Sequence, residues 1–374
     1  MKNLLILSGL LFFVSMIPGC EKKEEGKVVE VDMQVELQQT LDSTFVRFNV
    51  KGASAAVYIP GKGIWTGVTG ISHPDVPIIP ESVFGIGSVT KTFTAVIVLQ
   101  LVEEGKLRLD DSLNRWLPEF PNIDSRITIG QLLNHTSGVF NFSMHPDFDS
   151  LLQVDLTRFW TPEETIMTFV STPYCLPGGG YNYSNTNYCL LGMIIKEVTG
   201  STISAEIRRR ILTPLGLHRT FLPVEENVSG MIAHPWLDIN DDGQFEDCFN
   251  VPITAAYSIG WTSGAIQSSA RDLVVFSHAL LSGKTLLSQS MLDKMLDFYP
   301  VGDLGYGYGI SIPEDFIPGI QGIGHDGHIY GYGARMVYIP SAGASIAVVV
   351  NDENGYECKA AISRALARVI LDND

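Results

Sequence analysis

Serine and lysine three residues apart share one face of a helix, and in Ser88-Val89-Thr90-Lys91 the pair stands at the start of a strongly apolar stretch. A serine there gains from the positive end of the helix dipole, which stabilises charge developing on its oxygen. A lysine one turn inside an apolar helix is desolvated, so it gives up its proton more readily than in water and can accept the serine's. The chain holds no second Ser-x-x-Lys. The same residues also suit a plain N-cap serine followed by a lysine whose stem lies along the helix, so the pattern draws its weight from its company.

That company comes in two places. At Tyr183-Ser184-Asn185 a phenol and an amide stand two apart, after the glycine-rich Pro177-Gly178-Gly179-Gly180. Side chains at that spacing in an extended segment point into one cleft; a packed tyrosine followed by a capping asparagine is the plainer alternative. Further on, Gly324-His325-Asp326-Gly327-His328-Ile329-Tyr330-Gly331 precedes a C-terminal hairpin pattern. Its glycines let another backbone approach closely, which suits a sheet edge lying against a substrate.

Holding these groups together requires a sheet and a buried helix. Residues 53–59 and 65–70 read as strands about the turn Pro60-Gly61-Lys62-Gly63, and residues 335–339 and 345–351 as a second hairpin about Pro340-Ser341-Ala342-Gly343. Helical patterns cover 90–104, 129–134, 161–170, 188–199, 270–281 and 358–371, with Thr128, Thr161 and Ser269 as caps. The stretch 90–104 is apolar on nearly every face and belongs in the protein's centre. The expected architecture is an antiparallel sheet built from both chain ends and flanked by helices, with a mostly helical region inserted at about 101–255.

Taken in order, Phe84-Gly85-Ile86-Gly87-Ser88-Val89-Thr90-Lys91, Leu132-Leu133-Asn134-His135-Thr136-Ser137-Gly138, Tyr183-Ser184-Asn185 and His325-Asp326-Gly327 resemble the motifs of the β-lactamase-related serine hydrolases. That family includes class C β-lactamases, D-alanyl-D-alanine carboxypeptidases, D-amino-acid amidases and certain esterases. The similarity runs from about residue 38 to residue 371. It implies a penicillin-binding-protein-like α/β (α+β) fold of the β-lactamase/transpeptidase type and an acyl-enzyme on Ser88. It implies proton transfer shared by Lys91 and Tyr183, with the base in each step left open, and Asn185 holding either the substrate amide or Lys91. It further implies substrate contacts from His325, Asp326 and Gly327, an oxyanion hole from the backbone amides of Ser88 and His328, and chemistry without a cofactor.

Two positions depart from the pattern. His325 stands where the β-lactamases carry lysine, an exchange common among the esterases and peptidases that the resemblance includes, and as a neutral imidazole it attracts a carboxylate less. Asp326 stands where threonine or serine is usual. Facing the cleft, it would repel a substrate carboxylate; facing away, for instance onto Arg335, it would leave binding alone. The expected substrate is a small ester or a D-amino-acid amide or peptide. The alternatives are a cell-wall D,D-carboxypeptidase or β-lactamase, and a penicillin-binding sensor or scaffold without turnover.

Of the 374 residues 45% are apolar and 18% charged, enough to bury a large core. A net charge of −16 without a basic stripe argues against a nucleic-acid partner. At the N-terminus Lys2 precedes an apolar run over 4–17, too short to span a membrane, which ends at Pro18-Gly19-Cys20 ahead of the charged Glu21-Lys22-Lys23-Glu24-Glu25. The layout resembles a bacterial lipoprotein signal. It predicts removal of 1–19, a lipid on Cys20, a tether over 20–37 and one catalytic domain over 38–374, membrane-anchored and periplasmic or at the cell surface. Cys175, Cys189, Cys248 and Cys358 allow several disulfide pairings or none, and no Cys/His metal spacing. Finally, Asp238, Asn240, Asp242, Gln244 and Asp247 surround Gly243 in a pattern like the opening of a calcium loop. They are candidate ligands of a structural calcium, although the twelfth position is Phe249 rather than glutamate and a solvated acidic turn fits as well.

Overall fold

The computed structural model describes residues 30–240, 242–313 and 316–373. Its first helix, α1 (Val31–Phe45), corrects the expected tether: Met33, Leu37 and Leu41 recur every fourth residue and are buried. The boundary expected at residue 37 therefore falls inside a packed amphipathic helix, and only its exposed polar face matched the reading of a solvated linker.

Strands β1 (Gly52–Ile59), β2 (Gly63–His73) and β3 (Val76–Pro77) come from the N-terminal part of the chain. From the C-terminal part come β4 (Ile323–Ile329), β5 (Tyr332–Ile339) and β6 (Ala344–Val350). They form one antiparallel sheet in the order β4-β5-β6-β1-β2-β3, so the two chain ends are joined where β6 pairs with β1. The glycine-rich strand β4 is an edge, the place where its low side-chain content costs least. Between the two groups of strands lie α2 (Thr90–Glu103), α3 (Ile129–Leu133), α4 (Pro162–Phe169), α5 (Asn185–Thr199), α6 (Thr254–Gly264) and α7 (Ala270–Leu281); α8 (Gly355–Asp372) closes the chain.

Local sequence explains three of the helix starts. Thr128 and Thr161 make capping boxes with Gln131 and Glu164, and the Ser269 hydroxyl accepts from the amide of Asp272. Helix α5 begins at Asn185, three residues ahead of the expected start, and ends on Gly200 at φ +66°. Helix α6 was not expected. Its interior holds a kink at Trp261, where the backbone is non-helical, so its sequence shows no unbroken helical period.

Helix α2 runs through the centre. Every residue from Thr90 to Leu99 is buried, and Phe93 stacks on Phe276 of α7 with ring centroids 3.8 Å apart. Burying each such large apolar side chain contributes roughly 1.5–3 kcal/mol, which anchors the helix that carries Lys91. The period-two geometry of the sheet then decides which strand residues can meet it. His325 of β4 lies beside Met336 of β5 and Ala347 of β6, on the face packed against the core that contains α2. Asp326 lies beside Arg335 and Val348, on the opposite face, which α1 and α8 cover.

The four cysteines of the folded part, Cys175, Cys189, Cys248 and Cys358, are all free thiols. Residues 238–240 and 242–245 lie at the tip of a small hairpin, Trp236–Leu237 against Glu246–Asp247. There the carboxylate of Asp238 accepts from the amides of Asp242 and Gly243, Asn240 Oδ1 accepts from Asp242, and Asp242 accepts from Gln244. Asp247 turns away from the loop to His234 Nδ1 at 2.7 Å. Among the described residues no group of three or more His, Cys, Asp or Glu converges as a metal site.

Candidate active site

Ser88 lies on the 3₁₀ turn Gly87–Val89 that leads into α2, and Lys91 lies in the first α-helical turn. Two glycines make room for this turn. Gly87 has φ +49°, and a Cβ there would sit 2.3 Å from the amide nitrogen of His328. A Cβ on Gly327 would sit 1.8 Å from the carbonyl oxygen of Ile86. The edge strand β4 therefore runs directly against the nucleophile turn, with the backbones of residues 86–88 and 327–328 in contact. Ser88 is half-buried and reachable from solvent.

Lys91 is fully buried. Its Nζ lies 3.0 Å from Ser88 Oγ and donates to Asn185 Oδ1 at 2.7 Å and to the carbonyl oxygen of Ser263 at 2.7 Å. Burial pulls its pKa well below the ordinary lysine value. An amide oxygen and a carbonyl oxygen can only accept, so both N–H bonds of a neutral amine are committed to Asn185 and Ser263. The lone pair is then left toward Ser88.

Tyr183 completes the group. Its hydroxyl donates to Ser88 Oγ at 2.8 Å, and burial raises its pKa, so the phenol keeps its proton. Asn185 follows two residues later, in the first turn of α5, and its Nδ2 donates to Ser143 Oγ at 3.1 Å. The Ser143 hydroxyl in turn donates to Asn141 Oδ1, which also accepts the amide of Asn185. These bonds orient the Asn185 amide with its oxygen toward Lys91, so Asn185 holds the lysine, one of the two expected roles.

His325 is buried beside the same cleft. Its Nδ1 lies 2.6 Å from the carbonyl oxygen of Asp326, which accepts, so Nδ1 carries the proton and Nε2 accepts from the Tyr306 hydroxyl at 2.9 Å. Burial first, then the nearby Lys91, lowers its pKa to about 4, and the ring is neutral near pH 7. Asp326 is corrected as a substrate contact. Arg335 donates to it through Nε and Nη2, both at 2.8 Å, and Lys359 Nζ donates at 2.7 Å. Burial pushes its carboxyl up, but the Arg335 hydrogen bonds and the charges of Lys359 and Arg335 outweigh burial and hold it at about 2. It faces away from Ser88, because consecutive residues of a strand point to opposite faces, and the repulsion considered for a substrate carboxylate does not arise.

Four participants carry little or no signal in the sequence. The Ser263 carbonyl is a backbone group after the Trp261 kink, Ser143 and its partner Asn141 belong to the short 3₁₀ turn Phe142–Met144 and its cap, and Tyr306 is marked only by its glycine neighbours, Gly305 and Gly307. Cys20 lies outside the described residues.

A nucleophilic serine joined to a buried lysine and a protonated tyrosine, at the edge of a sheet, defines a serine hydrolase. The chain belongs to the Beta-lactamase family, whose match covers residues 38–369. A D-stereospecific amidohydrolase from Streptomyces sp. has the same fold, with a TM-score of 0.77 and 30% identity over 91% of this chain and 99% of that one. The D-amino acid amidase of Ochrobactrum anthropi SV3, complexed with L-phenylalanine amide, superposes with a TM-score of 0.78 at 26% identity, over 91% and 99% of the two chains. Penicillin-binding protein 4 of Amycolatopsis lactamdurans is 28% identical over 84% of each chain.

Proposed function

We propose that this serine hydrolase cleaves a small ester or the amide of a D-amino acid or short D-peptide. The observation that carries the reading is the pairing of an activated Ser88 with a neutral His325 in place of a cation, in a chain similar to a D-stereospecific amidohydrolase and a D-amino acid amidase. A site that must grip a free carboxylate gains most from a permanent charge, and this one offers none at that position.

Lys91 takes the Ser88 proton as Oγ bonds to the substrate carbonyl carbon. The resulting oxyanion lies between the backbone amides of Ser88 and His328; each such donor is worth about 3 kcal/mol in the transition state. Tyr183 gives its proton to the departing oxygen or nitrogen, the bond to the carbonyl carbon breaks, and the proton on Lys91 restores the phenol. Water then attacks the acyl-Ser88 carbonyl, and release of the acid returns the serine hydroxyl. Every proton in this scheme moves between side chains of the chain itself, the substrate and water.

The test is a panel of nitrophenyl esters and D- and L-amino-acid amides against wild type and Ser88→Ala. Repeated release that vanishes in Ser88→Ala supports the reading. A second reading, a cell-wall D,D-carboxypeptidase, is favoured by the likeness to a penicillin-binding protein. It predicts cleavage of D-alanyl-D-alanine peptides, and labelling by a fluorescent β-lactam without turnover would instead mark a sensor. The N-terminal layout supports export with a lipid on Cys20, anchoring the enzyme to a membrane in the periplasm or at the surface; palmitate incorporation lost in Cys20→Ala tests this.

A further inference from the structure

The motif Asn134-His135-Thr136-Ser137-Gly138 supplies no group to the proposed acylation, yet its histidine is wrapped by the site. His135 has no exposed surface and takes the positive φ of +62°. Such a backbone is uncommon outside glycine, although histidine tolerates it better than most residues, and contacts elsewhere offset its cost. Its carbonyl oxygen accepts the amide of Asn182 at 2.8 Å, and its Nδ1 accepts the amide of Ser184 at 3.1 Å. These are the two residues that flank Tyr183. The ring itself packs on the Tyr183 ring, with centroids 4.3 Å apart.

We infer that His135 is the positioning residue of Tyr183, fixing the phenol against Ser88 by gripping the backbone on both sides of it and the ring between. A backbone amide can only donate, so Nδ1 must be unprotonated and Nε2 carries the hydrogen. Asn187 Nδ2 reaches the same Nδ1 at 3.2 Å, and Asn187 is itself held by the Ser137 hydroxyl at 2.7 Å. Nε2 is buried and has no hydrogen-bond partner among the described residues, and the imidazole meets the Tyr306 ring at 60° with centroids 4.7 Å apart. A protonated ring would turn Nδ1 into a donor facing the Ser184 amide. Burial lowers the pKa of His135 well below the ordinary histidine value and keeps that from happening.

His135 touches none of the reacting atoms, so its replacement acts through Tyr183. Asparagine tolerates positive φ and places an acceptor oxygen where Nδ1 stands, whereas phenylalanine keeps the ring and loses the acceptor. The inference rests on the acyl-enzyme chemistry proposed above, and the experiment separates the two. Acylation by nitrophenyl butyrate is followed by its burst phase in His135→Phe, His135→Asn, Tyr183→Phe and the double variant that combines His135→Phe with Tyr183→Phe. His135→Phe is expected to lose about a hundredfold in acylation rate with little change in KM, and His135→Asn to stay within about tenfold of wild type. In the Tyr183→Phe background, His135→Phe is expected to cost nothing further, as coupled residues do in a double-mutant cycle. Amide hydrogen exchange supplies a readout free of activity: Asn182 and Ser184 lose protection together in His135→Phe and regain it at Ser184 in His135→Asn. Full-rate acylation in His135→Phe, an undiminished cost without Tyr183, or unchanged exchange would each overturn the assignment. A wild-type chain that no ester or amide acylates would instead sink the hydrolase reading, and the exchange measurement would still decide the clamp.

Discussion

Replacing Asp326 by asparagine removes one negative charge from between two buried cations. Arg335 and Lys359 are 1% and 0% exposed in their side chains, and both donate to the Asp326 carboxylate. Two routes to the cost agree in scale. The drop of the carboxyl from its ordinary 3.8 to about 2 corresponds to roughly 2–3 kcal/mol of stability. Breaking a buried pair while leaving its partners charged costs about 3–5 kcal/mol, and here two partners are left. For a folded unit of about 340 residues, with an unfolding entropy near 2.1 cal/mol/K per residue, a loss of about 2–5 kcal/mol lowers the melting midpoint by roughly 3–7 °C. The pH dependence has a definite sign. The folded-state pKa lies below the unfolded one, so the contribution is present above about 4 and disappears as the pH falls through about 2. The gap in stability between wild type and Asp326→Asn should therefore close over that window. The assay is urea unfolding of both proteins across pH 2–7, together with KM for an ester bearing a terminal carboxylate. A destabilisation under about 1 kcal/mol at neutral pH would show that the pair is not held as described. A tenfold fall in KM for the carboxylate-bearing ester would show that Asp326 faces the cleft after all.

Lys91→Ala and Tyr183→Phe should each slow acylation by at least about a hundredfold, the usual contribution of positioned proton transfer; a burst at near wild-type rate in either removes that residue from its role. In the wild type the acylation rate should climb with pH as Lys91 loses its proton at a pH well below the ordinary 10.5, since the base must be neutral. It should not fall again below the ordinary tyrosine value of 10.0, because the Tyr183 acid is shifted upward; a profile still rising only near 10 would contradict a desolvated, neutral lysine. His325→Lys should lower KM for a carboxylate-bearing ester by at least about tenfold, given that hydrogen bonds to charged groups are worth about 1.5–3 kcal/mol, and an unchanged KM would place residue 325 out of the substrate's reach. A chelator should leave the melting midpoint where it is if residues 238–240 and 242–245 are a solvated acidic turn whose side chains accept the loop's own amides, whereas a fall with chelator or a rise with added calcium would make that loop a cation site.

Ordered motifs made the chemistry legible in the sequence. Ser88 and Lys91 are close because a helix puts them there, a local relation that needs no tertiary information. The two hairpins and the buried α2 were likewise visible in turn residues and in apolar runs. What depends on which face of an element is turned inward was not. The sequence allows Asp326 either face; the register of β4 on β5 places it beside Arg335, and a shift of one residue reverses it. The start of α1 was hidden because an amphipathic helix shows solvent the same charged residues that a tether does. Ser263, Ser143 and Tyr306 reach the site through a kink, a turn and a short strand far away in the chain, and their roles come from distances that no spacing in the sequence encodes. Residue types and local periods therefore named the reacting groups; long-range packing alone chose their orientation, their protonation and the residues that hold them.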